Sequence, residues 1–284
     1  MTVQQRILGT LLALAVSLVT PANAPVAGQV NESYEVYAVR YAHTPFPESS
    51  LVSGGDKSKT IDIAFTFWVA RNAQRVVLVD AGFTREKFIQ SWKPQDYVQP
   101  TEALKAGLGI APDEVTDLVL THVHWDHADG ADRFARARIW IQREEYEHYV
   151  GANGEALDRA IDPDVAKMLA QLKAAGRVTL IDGDAQQILP GIKVYTGGKH
   201  TVASQYLGVQ TRGGVVILAS DNAYLYQNLE RHVAIAQALD ASSNLAALER
   251  ILTLASAPRL IVPGHDPAVF ERFPKPGHGV ARIE

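Results

Sequence analysis

The sequence predicts a mixed α/β fold built in layers. Three observations lead to this prediction: short apolar runs typical of buried strands, helical stretches between several of them, and polar residues where the strands end. The 284 residues are 47% hydrophobic and 20% charged, which is an ordinary globular composition. That length allows one large domain or two small ones with a sizeable buried core.

Runs rich in Val, Ile and Leu are interpreted as strands, at 63–70, 75–80, 116–122, 138–142, 192–197, 214–220 and 259–264. Helical spacing or helix-start residues predict helices at 100–108, 143–150, 162–176 and 242–256. In the last of these, the spacing places Leu245, Leu248, Ile251 and Leu252 on one face.

The first 24 residues are typical of a secretory signal peptide. Arg6 precedes the apolar run ILGTLLALAVSLV, and Ala22 and Ala24 follow in an A-x-A arrangement. The run is shorter than the roughly 20 apolar residues that span a bilayer. We therefore expect export to the periplasm or secretion, with a single domain over 30–284 and no membrane association after cleavage. The cleavage site is open because Pro25 follows Ala24, and a buried first helix is the alternative interpretation.

The charge and cysteine content narrow the chemistry. A net charge of −4 provides no basic footprint, so no nucleic-acid partner is expected. The chain has no cysteine, which excludes thiol catalysis and cysteine-based zinc folds. Any bound metal must therefore use nitrogen and oxygen ligands.

Five of the predicted strands end at or shortly before a polar residue suited to metal binding. These residues are Asp80, His122, His200, Asp221 and His265. Ligands in open α/β sheets gather outside the carboxyl ends of the strands. The five side chains would converge if those strand ends share one edge.

The segment THVHWDHADG (121–130) crowds three of the nine histidines beside a carboxylate. His122 and His124 are two residues apart, so on an extended chain they point the same way and can bind one metal. Asp126 and His127 project differently and suit a second ion, typically about 3.5–4 Å from the first. Chance clustering is the alternative, and the later His and Asp at strand ends argue against it.

HVHWDH matches the HxHxDH signature of the metallo-β-lactamase superfamily, and later segments follow in that family's order. GGKHT contains His200, LASDN contains Asp221, VPGHD contains His265, and LVDAG resembles the early strand that ends in Asp80. The resemblance covers about residues 34–272. It implies an αβ/βα four-layer sandwich, with two sheets face to face, helices outside and a dinuclear site at one edge.

The resemblance also implies a ligand set for two divalent metal ions per chain. His122, His124 and His200 would hold one ion, Asp126, His127 and His265 the other, and Asp221 with a hydroxide would bridge them. Such a nitrogen and oxygen set suits Zn²⁺, with Fe or Mn as alternatives. Asp80 is expected to orient a ligating imidazole, or else to be a turn residue before Gly82.

Within the family, the chain is most similar to the N-acyl-homoserine lactonases. Their pattern has a Tyr three residues after the bridging Asp, which is Tyr224 here. The resemblance implies a hydrolase that opens a lactone ring, a small-molecule substrate, with the metal-bridging hydroxide as nucleophile and Asp126 and Tyr224 as catalytic residues. Tyr224 would donate to the lactone carbonyl oxygen, unless it only packs an amphipathic segment.

One loop departs from the family's sequence pattern at two positions, and two alternative functions are open. The family's usual GHTPGH or GHTPGQ loop reads KHTVASQ here, with Val202 and Ala203 in place of Pro and Gly. A β-lactamase-like or other ester or thioester hydrolase is the alternative enzyme. A non-catalytic metal-binding protein of the same fold is the alternative of another class. The sequence leaves the oligomeric state open.

Overall fold

The structure is a computed structural model that describes residues 33–283. The predicted signal peptide, 1–24, and the predicted start of the domain at residue 30 lie outside this range and stay predictions. Within the described range, no helix is both long and apolar enough to cross a membrane.

The chain alternates between strands and short helices. The strands are β1 (Glu35–Pro47), β2 (Thr60–Arg71), β3 (Val76–Val79), β4 (Asp117–Val119), β5 (Arg138–Gln142), β6 (Val178–Ile181), β7 (Gln186–Leu189), β8 (Ile192–Thr196), β9 (Gln205–Thr211), β10 (Gly214–Ser220), β11 (Ile261–Pro263) and β12 (Val280–Ile283). The α-helices are α1 (Glu86–Trp92), α2 (Pro100–Leu108), α3 (Trp125–Ala128), α4 (Arg143–Tyr149), α5 (Pro163–Ala174), α6 (Tyr226–Glu230), α7 (Ala241–Leu254) and α8 (Val269–Arg272).

The strands form two sheets. The first has the order β12-β1-β2-β3-β4-β5-β6, and its strands β3 to β6 run parallel while β12, β1, β2 and β3 pair antiparallel. The second has the order β11-β10-β9-β8-β7 and is antiparallel except for the pair β10 and β11. Parallel neighbours end at the same edge of a sheet, so this topology brings the ends of β3, β4 and β5 together.

Side chains of β2 show how the layers pack. Phe65 and Phe67 belong to the core beneath α1, α2, α4 and α5, whereas Ala64 and Trp68 belong to the core shared with the second sheet. This division follows from the alternation of side chains along a strand, and it explains why β2 is apolar on both faces. The helices α6, α7 and α8 pack in the same core as the second sheet. The predicted four-layer αβ/βα sandwich is confirmed.

The helix α7 corrects one detail of the predicted amphipathic face. Leu248 and Ile251 are fully buried, but Leu252 is 43% exposed. The residues 248 and 252 are four apart and therefore lie on nearly the same side of the helix. The buried stripe is thus narrower than the sequence pattern indicated, because the second sheet contacts only its centre.

Leu248 and Leu252 make a matched pair for testing this packing. Leu248→Ala removes fully buried methyl groups and should lower the free energy of unfolding by about 2–5 kcal/mol. Leu252→Ala should change it by less than about 0.5 kcal/mol, since the side chain is largely exposed. Urea unfolding of the two variants measures both values. Equal losses would contradict the assigned helix face.

Candidate metal centre

All seven predicted ligand residues come together at one edge of the two sheets. They form two groups: His122, His124, His200 and Asp221 in the first, and Asp126, His127 and His265 in the second. Within each group, the ligand atoms lie within 4.8 Å of one another. The first sheet contributes the residues that follow β4, and the second contributes those that follow β8, β10 and β11.

The nitrogens of the first group have the spacing of ligands around one ion. His124 Nδ1 lies 3.1 Å from His122 Nε2 and 2.9 Å from His200 Nε2. Nitrogens bound tetrahedrally to Zn²⁺ at about 2.0–2.1 Å would lie about 3.3 Å apart. Three imidazole nitrogens this close, with their lone pairs facing inward, fit a shared cation between them.

Asp221 connects the two groups through its two carboxylate oxygens. Oδ2 lies 3.2 Å from His200 Nε2 in the first group. Oδ1 lies 3.1 Å from His265 Nε2 and 3.3 Å from His127 Nε2 in the second. One oxygen therefore faces each group, which is the arrangement of a bridging ligand.

Unsatisfied buried atoms test whether a metal fits. Asp221 Oδ1 and His127 Nε2 are buried and have no hydrogen-bond partner among the described residues. A buried polar atom without a partner costs about 1–3 kcal/mol or more, so natural proteins rarely leave one. A divalent cation between the two groups would satisfy both atoms. The donor set thus fits the divalent metal that this fold with its His and Asp groups implies.

The histidines are oriented by hydrogen bonds on the nitrogen that faces away from the centre. These pairs are His122 Nδ1 with Thr121 Oγ1 (3.0 Å), His127 Nδ1 with Asp80 Oδ2 (2.8 Å), His200 Nδ1 with Tyr224 Oη (3.2 Å) and His265 Nδ1 with the carbonyl oxygen of Ala64 (2.9 Å). A partner on the outer nitrogen holds the ring and directs the inner lone pair to a metal. Asp80 has the orienting role that the sequence predicted.

The electrostatics of the two groups differ. Burial and the neighbouring His127 hold the pKa of His122 well below its usual range, and burial with His200 lowers that of His124 to about 3. Both imidazoles are therefore neutral at pH 7, the form that binds metal. Burial also lowers the pKa of His127, but the carboxylates of Asp221, Asp126 and Asp80 together outweigh burial and hold that pKa well above 6.5. The carboxylates around the second group therefore favour a positively charged partner there.

The backbone beside the ligands is in an unusual conformation. Three non-glycine residues have left-handed φ angles: Asp80 at 62°, Lys199 at 45° and Ser220 at 46°. Asp80 itself orients His127, and the other two immediately precede His200 and Asp221. Such residues cost of order 1–3 kcal/mol each and cluster where a side chain must be aimed. The chain turns sharply at each of these residues. The turns direct the side chains of Asp80, His200 and Asp221 towards the centre.

Gly264 is required by a close approach. A Cβ atom at this position would lie 2.9 Å from Asp221 Oδ1 and from the backbone of Ser220. Any larger residue would displace the carboxylate that faces both groups. The glycine of VPGHD therefore lets His265 and Asp221 lie side by side.

Glu145 is a residue of the site that the sequence analysis missed. Its side chain is fully buried and accepts hydrogen bonds from the amide of Val123 (3.2 Å) and the amide of Ala203 (2.8 Å). It thereby joins the loop of His122 and His124 to the loop of His200. Burial raises the pKa of Glu145 to about 7 despite these two hydrogen bonds. The available signal was a carboxylate on the apolar face of α4, beside the buried Tyr146 and Tyr149.

The same helix supports the loop in which Val202 and Ala203 replace the family's Pro and Gly. The hydroxyl of Tyr149 accepts a hydrogen bond from the Val202 amide (3.2 Å), and Glu145 accepts one from the amide of the next residue, Ala203 (2.8 Å). These contacts place His200 in the first ligand group without the usual Pro-Gly turn.

Comparison with known proteins agrees with this fold and site. The family model described as metallo-beta-lactamase superfamily matches residues 62–265. An N-acyl homoserine lactonase of Bacillus cereus is 30% identical over 162 residues, 56% of this chain and 59% of the relative. Another lactonase, from Agrobacterium fabrum, is 26% identical over 201 residues, 64% of this chain and 70% of that relative. The chain thus spans about three fifths of the Bacillus relative that it matches.

Solved structures share the architecture. An N-acyl homoserine lactone hydrolase with the product N-hexanoyl-L-homoserine at its catalytic metal centre superposes with a TM-score of 0.69. It is 21% identical, and the match covers 84% of this chain and 96% of that one. The dizinc quorum-quenching lactonase AidC has a TM-score of 0.62 at 14% identity, with 82% and 88% covered. At this identity, the two likenesses show the fold alone. The family model matches most of the chain, including every residue of the centre, and the protein therefore belongs to the metallo-beta-lactamase superfamily.

Proposed function

We propose that this protein is a dinuclear metal-dependent hydrolase that opens lactone rings of the N-acyl homoserine lactone class. The observation that carries the proposal is the pair of ligand groups that share the Asp221 carboxylate, with a buried tyrosine hydroxyl beside them. The lactonase relatives support the substrate class. We further propose Zn²⁺ as the metal, because the ligands are imidazole and carboxylate.

The metal would supply Lewis acidity, polarising a carbonyl group and lowering the pKa of water towards neutrality. His122, His124, His200 and Asp221 would hold one ion, and Asp126, His127, His265 and Asp221 the other. The hydrogen bonds on the outer nitrogens orient four of the five rings, those of His122, His127, His200 and His265. The protein thus contributes ligands that are already oriented, and their two groups would hold the two ions close together.

The contacts of Tyr224 support a role as hydrogen-bond donor to a reacting carbonyl oxygen. When His200 binds metal through Nε2, its proton is on Nδ1, and Nδ1–H donates to Tyr224 Oη at 3.2 Å. The phenol proton is then free to be donated to the substrate. Burial and the carboxylates of Asp221 and Asp126 hold the pKa of Tyr224 well above 10, so it keeps that proton. We propose that it stabilises the negative charge that develops on the lactone carbonyl.

The entrance to the centre is partly apolar. His124, Trp125 and Asp126 are consecutive and half-buried, whereas the residues on either side of them are buried. The Trp125 ring stacks on Phe88 at 4.8 Å and lies 4.9 Å from Trp92. A substrate that enters here would meet metal ligands and an aromatic wall together, which suits a polar ring that carries an acyl chain.

The first test concerns the metal. Purified protein should hold close to two Zn²⁺ ions per chain by elemental mass spectrometry. His122→Ala and Asp221→Ala should each lower the metal content and abolish lactone hydrolysis, because each removes a ligand from a buried centre. His232→Ala, a change at a histidine that is 45% exposed, is the control and should alter neither. Undiminished hydrolysis by the Asp221 variant would contradict the bridging role.

The second test concerns Tyr224 and distinguishes catalysis from structure. Tyr224→Phe should keep the full metal content, yet kcat on lactones should fall by roughly 10- to 1,000-fold, as expected for loss of an oxyanion donor. KM should change less, since the contact strengthens in the transition state. Loss of metal in this variant would show instead that the hydroxyl serves to hold His200. A parent protein that prefers β-lactams or thioesters to all lactones would overturn the proposed substrate class.

The third test concerns Glu145 as a positioning residue. A glutamine has one acceptor oxygen, so Glu145→Gln would leave one of the two loop amides facing an NH₂ group. The affinity for Zn²⁺ should fall by about 10- to 100-fold, the loss typical for outer partners of metal ligands. Glu144→Gln changes the exposed neighbour in the same way and should leave the affinity unchanged. Competition with a chelator measures both affinities, and equal values would contradict the role.

A further inference from the structure

A second concave site lies at the edge of the first sheet opposite the metal centre. It is a cavity of about 560 Å³ whose lining includes Arg75, Arg136, Arg138 and Arg177. We refer to these four residues and their cavity as the arginine cleft. Its volume is within the range of small-molecule sites, about 300–1,000 Å³.

The topology brings these arginines together. Arg75 immediately precedes β3, Arg138 begins β5, and Arg177 immediately precedes β6. Since β3 to β6 are parallel, their starts share one edge just as their ends share the other. Arg136 is two residues before Arg138 along the segment that leads into β5. The cationic groups of the cleft therefore come from β3, β5 and β6, with Asp117 of β4 between the first two strands.

The positive charge of the arginine cleft is not balanced by its own walls. Asp117 is the one carboxylate in its lining, and it already accepts hydrogen bonds from Arg75 (3.2 Å) and from Trp140 Nε1 (2.9 Å). In the described part of the chain, no carboxylate lies within 4 Å of the guanidinium of Arg136, Arg138 or Arg177. Four cations against one anion leave a local excess of three positive charges in a chain of net charge −4.

Two of the guanidinium groups are held in place by uncharged partners. Arg177 donates to the carbonyl oxygens of Phe134 and Ala137. Arg138 lies over the Trp140 ring, with Cζ 5.5 Å from the ring centroid. Burial lowers the pKa of Arg177, and the charge of Asp132 offsets this effect only in part. Guanidinium groups that are positioned without a carboxylate are available for an incoming anion.

We propose that the arginine cleft binds a small anion of the phosphate class. Arginine forms planar, paired hydrogen bonds to phosphate oxygens, whereas no lysine, which acts as a point charge, lines the cleft. An open cleft bordered by the starts of strands and by Ile188 to Pro190 is accessible to a compact ligand. This site is separate from the proposed lactone hydrolysis and does not depend on it.

The test uses the metal-loaded full chain and inorganic phosphate, titrated by calorimetry at constant ionic strength. The variant Arg136→Gln/Arg138→Gln removes two exposed cations from the cleft. Arg159→Gln/Arg231→Gln removes two exposed arginines elsewhere and controls for the change in net charge. Phosphate that binds the metal centre is common to all three proteins, so the difference between them reports the cleft.

The parent and the control should show a saturable phosphate site that the cleft variant binds at least tenfold more weakly. Hydrogen exchange with phosphate present should slow at 116–117, 136–140 and 177 in the parent and not in the cleft variant. Equal affinity in all three proteins would overturn the proposal, as would protection confined to the metal loops at 121–130 and 198–204. Binding of a long polyanion such as heparin without any binding of phosphate would also overturn it.

Discussion

The buried carboxylate of Asp221 is the constraint on which the rest of the site depends. It is 4% exposed and lies between two sets of histidines, so its charge has no access to bulk water. Burying a carboxylate costs several kcal/mol unless opposite charge compensates it. His127 and His265 hold the pKa of Asp221 well below its usual range despite that burial. The fold must therefore supply cationic partners on both sides, and two metal ions would do so most fully.

Several features of the strand ends around Asp221 serve to hold this carboxylate and its partners in position. Left-handed residues precede His200 and Asp221, Gly264 leaves room for the carboxylate, and Asp80 anchors both His127 and Thr121. None of these features improves the packing of the sheets. The sandwich core, with residues such as Trp68, provides the stability that offsets them. The strain is localised at the edge that holds the candidate metal centre.

The parallel strands give the two edges of the first sheet opposite electrostatic characters. Their ends present imidazoles and carboxylates that favour cations, and their starts present guanidinium groups that favour anions. The edges are separated by strands of only three to five residues, about 10–17 Å in length. The same topology that assembles the metal centre therefore also assembles the arginine cleft, because parallel neighbours align both ends of every strand.

By itself, the sequence predicted the candidate ligands, the family and seven of the twelve described strands. All seven strand predictions correspond to observed strands, since continuous apolar runs are readable without tertiary information. Five of the described strands were missed: β1, β6, β7, β9 and β12. In β1 and β9, Pro, Gly and polar residues interrupt the apolar pattern, and pairing with neighbouring strands compensates for it. The other three are only four residues long. The HxHxDH spacing identified His122, His124, Asp126 and His127 as candidate ligands, because the local backbone largely fixes the relative positions of residues that are close in sequence.

Tertiary structure decided what depends on contacts between distant segments. The hydrogen bonds of Glu145 to Val123 and Ala203 span 22 and 58 residues, and a helix pattern contains no information about either. Likewise, the four arginines of the cleft are spread over 75–177 and meet only because the parallel strands β3 to β6 start at the same edge. Asp221 could be predicted as a bridging ligand from the resemblance, but which oxygen faces which histidine group follows from the packing of the two sheets. The spacing of nearby residues can be read from the sequence, whereas contacts between separate loops form only in the folded chain.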